Sequence, residues 1–143
     1  MNRIEKAVET FKSGFNCSQS IISVYGPELG LDKELALLVS SGFGGGLGRT
    51  GEVCGAVTGA VMALGLKYGY TVFSNEAKEK VYSIVREFIA RFKEKDSSIL
   101  CRELLGADIN TPEGRERAHI ICPNLVKDSA EILEEILTGR SGI

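Results

Sequence analysis

From Glu52 to Leu66 the chain reads Glu-Val-Cys-Gly-Ala-Val-Thr-Gly-Ala-Val-Met-Ala-Leu-Gly-Leu, and beyond Glu52 it is apolar on every side. A helix with no polar face must be surrounded by protein, so this segment predicts a central helix with the rest of the chain packed around it. Gly55, Gly59 and Ala63 recur every four positions along one stripe. Each glycine costs about 1 kcal/mol against alanine inside a helix. Close approach of a neighbouring backbone is what offsets that cost.

The other segments read as helices too. Ile4, Ala7, Val8 and Phe11 share one face at helical spacing, with Gly14 as the stop. Asn16 and Gln19 stand three apart ahead of Ile21, Ile22 and Val24, the pattern of a reciprocal capping box, so Cys17 falls in the first turn of a second helix. Asp32 caps a third, carrying Leu35, Leu38 and Val39, which runs into the glycine cluster Gly42 to Gly51, a loop. Ser74 starts a long helix whose buried stripe is Val81, Ile84, Val85, Phe88, Ile89 and Phe92. Ile99 to Leu105 makes two turns closed by Gly106, and Thr111-Pro112-Glu113 is a helix start. Cys122-Pro123 is expected to end that helix near Ile121, because proline lacks an amide and restricts the residue before it. A last helix then runs to about Leu137.

The expectation is an all-α, compact single-domain bundle of about six or seven helices spanning residues 1–143, with 138–143 as a flexible tail. At this length a chain buries roughly two-thirds of its unfolded surface and needs no staple. The formal charge of -2 and the scattering of basic residues among acids argue against nucleic acid and anionic membranes as partners. The charged N-terminus lacks the apolar core of a secretory signal, and no apolar run reaches the about 18 residues of a membrane span. A cytoplasmic protein is expected.

Cytosolic thiols are kept reduced, so Cys17, Cys54, Cys101 and Cys122 read as buried apolar groups, metal ligands or redox groups. None of them forms a C-x-x-C pair. Cys17, Cys54 and Cys122 fall at expected helix starts, where free amides and the helix dipole stabilise a thiolate.

The stretch Gly44-Gly-Gly-Leu-Gly-Arg-Thr-Gly-Glu-Val-Cys-Gly-Ala-Val-Thr-Gly-Ala, with Phe15-Asn-Cys-Ser-Gln-Ser before it and Cys101-Arg-Glu-Leu-Leu-Gly and Cys122-Pro after it, resembles the redox-active four-cysteine family abbreviated C_GCAxxG_C_C. The order and context of all four cysteines match over nearly the whole chain. One departure is visible: the family shorthand has Gly-Cys-Ala-x-x-Gly, and this chain has Cys54-Gly55-Ala56-x-x-Gly59. The resemblance implies a redox or electron-transfer role with a redox partner that the sequence does not identify. A related domain in split-Soret cytochromes accompanies an iron-sulfur cluster, which implies four cysteines around iron. Chemically, a four-cysteine set serves an iron-sulfur cluster, a structural zinc ion, or metal-free dithiol exchange pairing Cys17 with Cys54 or Cys101 with Cys122. The cluster is favoured.

Other residues compete for roles. Gly46-Leu-Gly48-Arg-Thr-Gly51 satisfies G-x-G-x-x-G, and Tyr70-Thr-Val-Phe followed by Glu76 is the one segment that could complete a dinucleotide site. Such a site requires strands on both sides, and every other segment reads as helix. Gly44, Gly45, Gly46, Gly48 and Arg49 are therefore candidate cofactor contacts in a loop that passes close to the centre, and Arg49 could hold an anion. His119, the only histidine, stands three residues before Cys122 and is a candidate additional ligand. No Ser-His-Asp set or carboxylate pair marks an enzyme. The alternative reading is a noncatalytic module binding a small molecule or partner through the small-residue face of the central helix and the glycine loop, and Gly/Ala-rich helices also allow a homodimer.

Overall fold

The computed structural model describes residues 1–139, and its helices follow the caps and apolar stripes of the sequence. Among these residues there are seven α-helices: α1 (Arg3–Lys12), α2 (Cys17–Tyr25), α3 (Lys33–Ser40), α4 (Gly55–Tyr68), α5 (Asn75–Asp96), α6 (Cys101–Leu105) and α7 (Pro112–Leu137). A 3-10 turn over Pro27–Leu29 joins α2 to α3. The expected tail at 138–143 lies largely outside the described residues. No helix is long and apolar enough to cross a membrane among the residues described.

The capping chemistry explains the starts. Asn2 and Asn16 each form a full capping box, with Glu5 and Gln19, while Asp32, Ser74 and Thr111 accept from the amides of Leu35, Ala77 and Gly114. The capping box of α2 also reaches across to α3. Asn16 Nδ2 donates to the carbonyls of Ser40 (3.3 Å) and Ser41 (3.2 Å), and Gln19 Nε2 to that of Leu37 (3.1 Å).

Helix α4 is the centre of the bundle, packed against α2, α5 and α7. Its residues Ala56, Val57, Ala60, Ala63 and Leu64 are inaccessible or nearly so. The small-residue stripe makes the contact with α2: a Cβ on Gly59 would stand 2.8 Å from the Ser18 carbonyl oxygen, and one on Gly55 2.8 Å from the Ser18 nitrogen. Toward α7, Ser129 Oγ donates to the Ala56 carbonyl at 2.7 Å, so a buried hydroxyl finds its partner inside the core. Helix α5 lays Phe88 and Phe92 into this core, and Arg91–Glu135, Lys95–Asp128 and Lys95–Glu131 tie it to α7 along the rim.

One expectation fails. Cys122-Pro123 does not end a helix: α7 runs unbroken through Pro123. A proline inside a helix costs about 3 kcal/mol, whereas each of Leu125, Val126, Ile132, Leu133 and Ile136, all buried on the far side of Pro123, contributes about 1.5 to 3 kcal/mol by burial. Packing outweighs the local penalty, and what the proline leaves behind is a His119 carbonyl without its i+4 amide. Tyr70 to Phe73 is a loop and the glycine cluster has no strand on either side, so the dinucleotide alternative lacks its sheet.

Candidate functional site

The four cysteines sit on four different helices, α2, α4, α6 and α7, and all four line one cavity of about 740 Å³. Each is buried, with relative exposures of 8% for Cys17, 4% for Cys54, 8% for Cys101 and 9% for Cys122. Their positions on the helices differ. Cys17 and Cys101 open α2 and α6, Cys54 is the N-cap of α4, and Cys122 stands in the interior of α7. The expected helix-start placement therefore holds for Cys17 and Cys54, fails for Cys122 because α7 is continuous, and is found at Cys101 as well; the thiolate it was expected to stabilise is favoured at Cys54 alone.

A short backbone pairing aligns two of these helix starts. Val53 and Leu100 form an isolated antiparallel bridge. Cys54 N donates to the Ile99 carbonyl at 2.7 Å, and Cys101 N to the Glu52 carbonyl at 2.7 Å. Arg102 N continues the pairing to the Gly51 carbonyl at 3.1 Å, and its guanidinium reaches Glu52 at 3.0 Å. The pairing takes up the first amides of α6, which helical geometry alone leaves without partners, and sets the starts of α4 and α6 beside each other with a cysteine at each.

The thiols act on one another. Cys17 holds its proton well above the ordinary thiol range because it hydrogen-bonds with Cys122 and Cys54, with burial adding to the effect. Cys54 is pulled below that range, chiefly by the Cys17 thiol; burial opposes this, and the amides of Ala56 and Val57 assist. Burial pushes Cys101 up to about 11, with the nearby Cys54 and Cys122 adding to it. The arrangement sets one stabilised thiolate, Cys54, beside two thiols, Cys17 and Cys101, that keep their protons.

The glycine cluster closes over the cavity. Gly45, Gly46, Leu47, Gly48 and Arg49 all have positive φ, between 59° and 69°, a left-handed turn that glycine adopts freely and that costs Leu47 and Arg49 about 1 to 2 kcal/mol each. Cross-loop bonds hold it: Gly48 N to Gly42 O, Arg49 N to Gly44 O, Gly51 N to Gly45 O and Glu52 N to Gly46 O, all between 2.9 and 3.1 Å. Asn110 Nδ2 adds a bond to the Arg49 carbonyl at 2.9 Å. The loop's carbonyls are occupied in this way. The amides of Gly44, Gly45 and Gly46 meet no protein acceptor among the described residues. Gly45 and Gly46 are left-handed, and successive amides in such backbone are the elements of an anion-accepting nest.

Gly44, Gly45, Gly46, Gly48 and Arg49 all line the cavity, as does His119, which is exposed. Among the described residues no three His, Cys, Asp or Glu side chains are gathered round a point that could hold a single metal ion. The lining also contains Lys12, which spacing along the chain had no means of connecting to the thiols, and Phe15, two residues before Cys17.

A family model described as "Putative redox-active protein (C_GCAxxG_C_C)" matches residues 15–136. No curated protein and no solved structure matches the chain.

Proposed function

The chain belongs to the C_GCAxxG_C_C family, and from that premise we propose that it is an electron-transfer protein whose four thiols hold an iron-sulfur cluster at the floor of the glycine-loop cavity. The observation that carries the reading is the convergence of Cys17, Cys54, Cys101 and Cys122, from four helices, on one cavity. Their chemistry suits the group, since soft thiolates are the usual cluster ligands. A cluster also spreads its ligands over several irons, so it does not require three donors round one point as structural zinc does. When bound, the group supplies one-electron transfer. The protein's part is to present the thiolates, with Cys54 already favoured in that form, and to shield them with Leu104, Leu105 and Leu125.

Protein purified without oxygen is expected to be brown, with iron and acid-labile sulfide in equal amounts, and each Cys→Ser variant is expected to lose most of both. A protein that stays colourless after anaerobic reconstitution with iron and sulfide rejects the cluster. Stoichiometric zinc without iron would instead mark a structural site.

A second reading rests on Cys54 and Cys17. Its lowered proton affinity beside a protonated Cys17 is the arrangement of an attacking thiolate and a resolving thiol. Cys54 would attack a substrate disulfide and expel one thiolate. Cys17, after losing its proton, would then attack the mixed disulfide, leaving a Cys17–Cys54 disulfide and a substrate reduced by two electrons. Metal-free protein that reduces a model disulfide with loss of two thiols supports it.

A further inference from the structure

We propose that the outer part of this cavity, bounded by Lys12, Arg49 and His119, binds a small organic anion with an apolar body. The inference rests on the reading of this cavity as the working centre and names the class of molecule that centre would serve. In a chain with 19 acidic residues against 17 Lys and Arg, the cavity lining contains three basic residues and not one Asp or Glu. The three are exposed while the thiols are buried, so the positive charge stands at the mouth and the sulfurs at the floor.

That charge is uncommitted. Arg102 and Arg117, close by in the fold, are paired with Glu52 at 3.0 Å and Glu113 at 2.9 Å. Lys12 and Arg49 have no ion-pair partner among the described residues, and the first amides of the glycine turn have no protein acceptor. Arg49 is also held in place: its Cβ and Cγ lie against Gly45, and its carbonyl is bonded by Asn110. A basic residue kept at a positive φ beside free amides is a prepared acceptor site for negative charge.

The walls favour an apolar body behind that charge. Phe11, Phe15, Leu104 and Ile109 line the cavity, and Phe15 is left 41% exposed. A volume of about 740 Å³ is that of a small-molecule pocket. Apolar walls with a few convergent polar groups are the pattern of such sites.

The test uses the full-length protein as purified and naphthalene-2-sulfonate as the probe, with 2-naphthol supplying the body without the charge and inorganic sulfate the charge without the body. Calorimetry and backbone amide shifts are read at constant ionic strength. The sulfonate is expected to bind one per chain, about tenfold tighter than either control, with shifts concentrated between residues 42 and 51. Lys12→Gln and Arg49→Gln should each weaken it by about three- to fivefold, and Lys33→Gln, on another face, should not. Equal affinity for 2-naphthol, or binding untouched by both substitutions, overturns the proposal. Iron and sulfide are assayed on the same samples. Probe binding in a protein that cannot take up a cluster rejects the cluster and keeps the anion site, whereas a loaded protein that ignores the probe does the reverse.

Discussion

Gly46 lies against Cys101 so closely that a Cβ on the glycine would stand 2.7 Å from the Cβ of the cysteine and 2.6 Å from the Glu52 nitrogen, whose amide closes the loop onto the Gly46 carbonyl. The left-handed turn and the thiol are therefore one construction. Gly46→Ala should cost about 2 to 4 kcal/mol, from the left-handed backbone and the overlap together, and should displace Cys101. Gly48 has a similar φ of 59° but nothing within 4 Å of a Cβ, so Gly48→Ala should cost only the backbone component, about 1 kcal/mol. Urea unfolding of both variants checks the difference. Equal costs would mean the contact with Cys101 carries no energy.

The glycines of α4 divide in the same way. A Cβ on Gly59 would meet the Ser18 carbonyl at 2.8 Å and Ile21 Cβ at 3.0 Å, while one on Gly65 meets nothing within 4 Å. Gly59→Ala should destabilise by about 1 to 3 kcal/mol through overpacking between α2 and α4. Gly65→Ala should stabilise by about 0.5 to 1 kcal/mol, since only helix propensity changes. Opposite shifts in melting temperature are the expected result.

Most of the architecture was legible because its signals are local. The capping pairs Asn16 with Gln19 and Thr111 with Pro112, the stripe ending in Phe88 and Phe92, and the small-residue face of α4 each lie within a few residues of one another. What escaped is long-range. The bridge between Val53 and Leu100, which sets Cys54 beside Cys101, joins residues with no shared periodicity. Pro123 misled because its local penalty is readable, while the burial beyond it that outweighs the penalty is a property of the assembled bundle. Lys12 and the acid-free lining became visible only when segments from six parts of the chain met at one cavity.

Away from the thiols, Asp96 at the end of α5 is the clearest source of pH dependence. Its Oδ2 is buried without a hydrogen-bond partner; Asp128 of α7 faces it, and Lys95, which stands 3.8 Å from Asp128, also contacts Glu131. Burial first, and the facing Asp128 carboxyl next, raise Asp96 from 3.8 to about 6, with Lys95 opposing. A raised carboxyl favours the folded state fully below its unfolded value and loses that contribution as pH climbs through the folded one. Asp96→Asn, which cannot ionise and can still donate to Asp128, should therefore stabilise at pH 7 relative to the native chain and give little gain near pH 4. Because Asp96 is partly exposed, the gain should not exceed about 1 kcal/mol. Unfolding midpoints between pH 4 and 8 test the crossover.

Cys54 and Cys101 should separate in a metal-free, reduced sample, because the same cavity moves them in opposite directions. Cys54 is stabilised as thiolate by the Cys17 thiol and the first amides of α4, whereas burial and the neighbouring sulfurs carry Cys101 up to about 11. Thiolate is the nucleophile, so iodoacetamide at neutral pH should label Cys54 ahead of Cys101, read residue by residue by mass spectrometry. Cys17→Ala removes the main donor to Cys54 and should move the onset of Cys54 labelling to higher pH. The same shift makes Cys101 a source of alkaline instability: its contribution is intact below the ordinary thiol value of 9.0 and is lost as pH rises through about 11. Stability should fall across that window, and Cys101→Ala should flatten the fall. Labelling of Cys101 ahead of Cys54 would mean that access, and not the charge each helix start stabilises, governs these thiols.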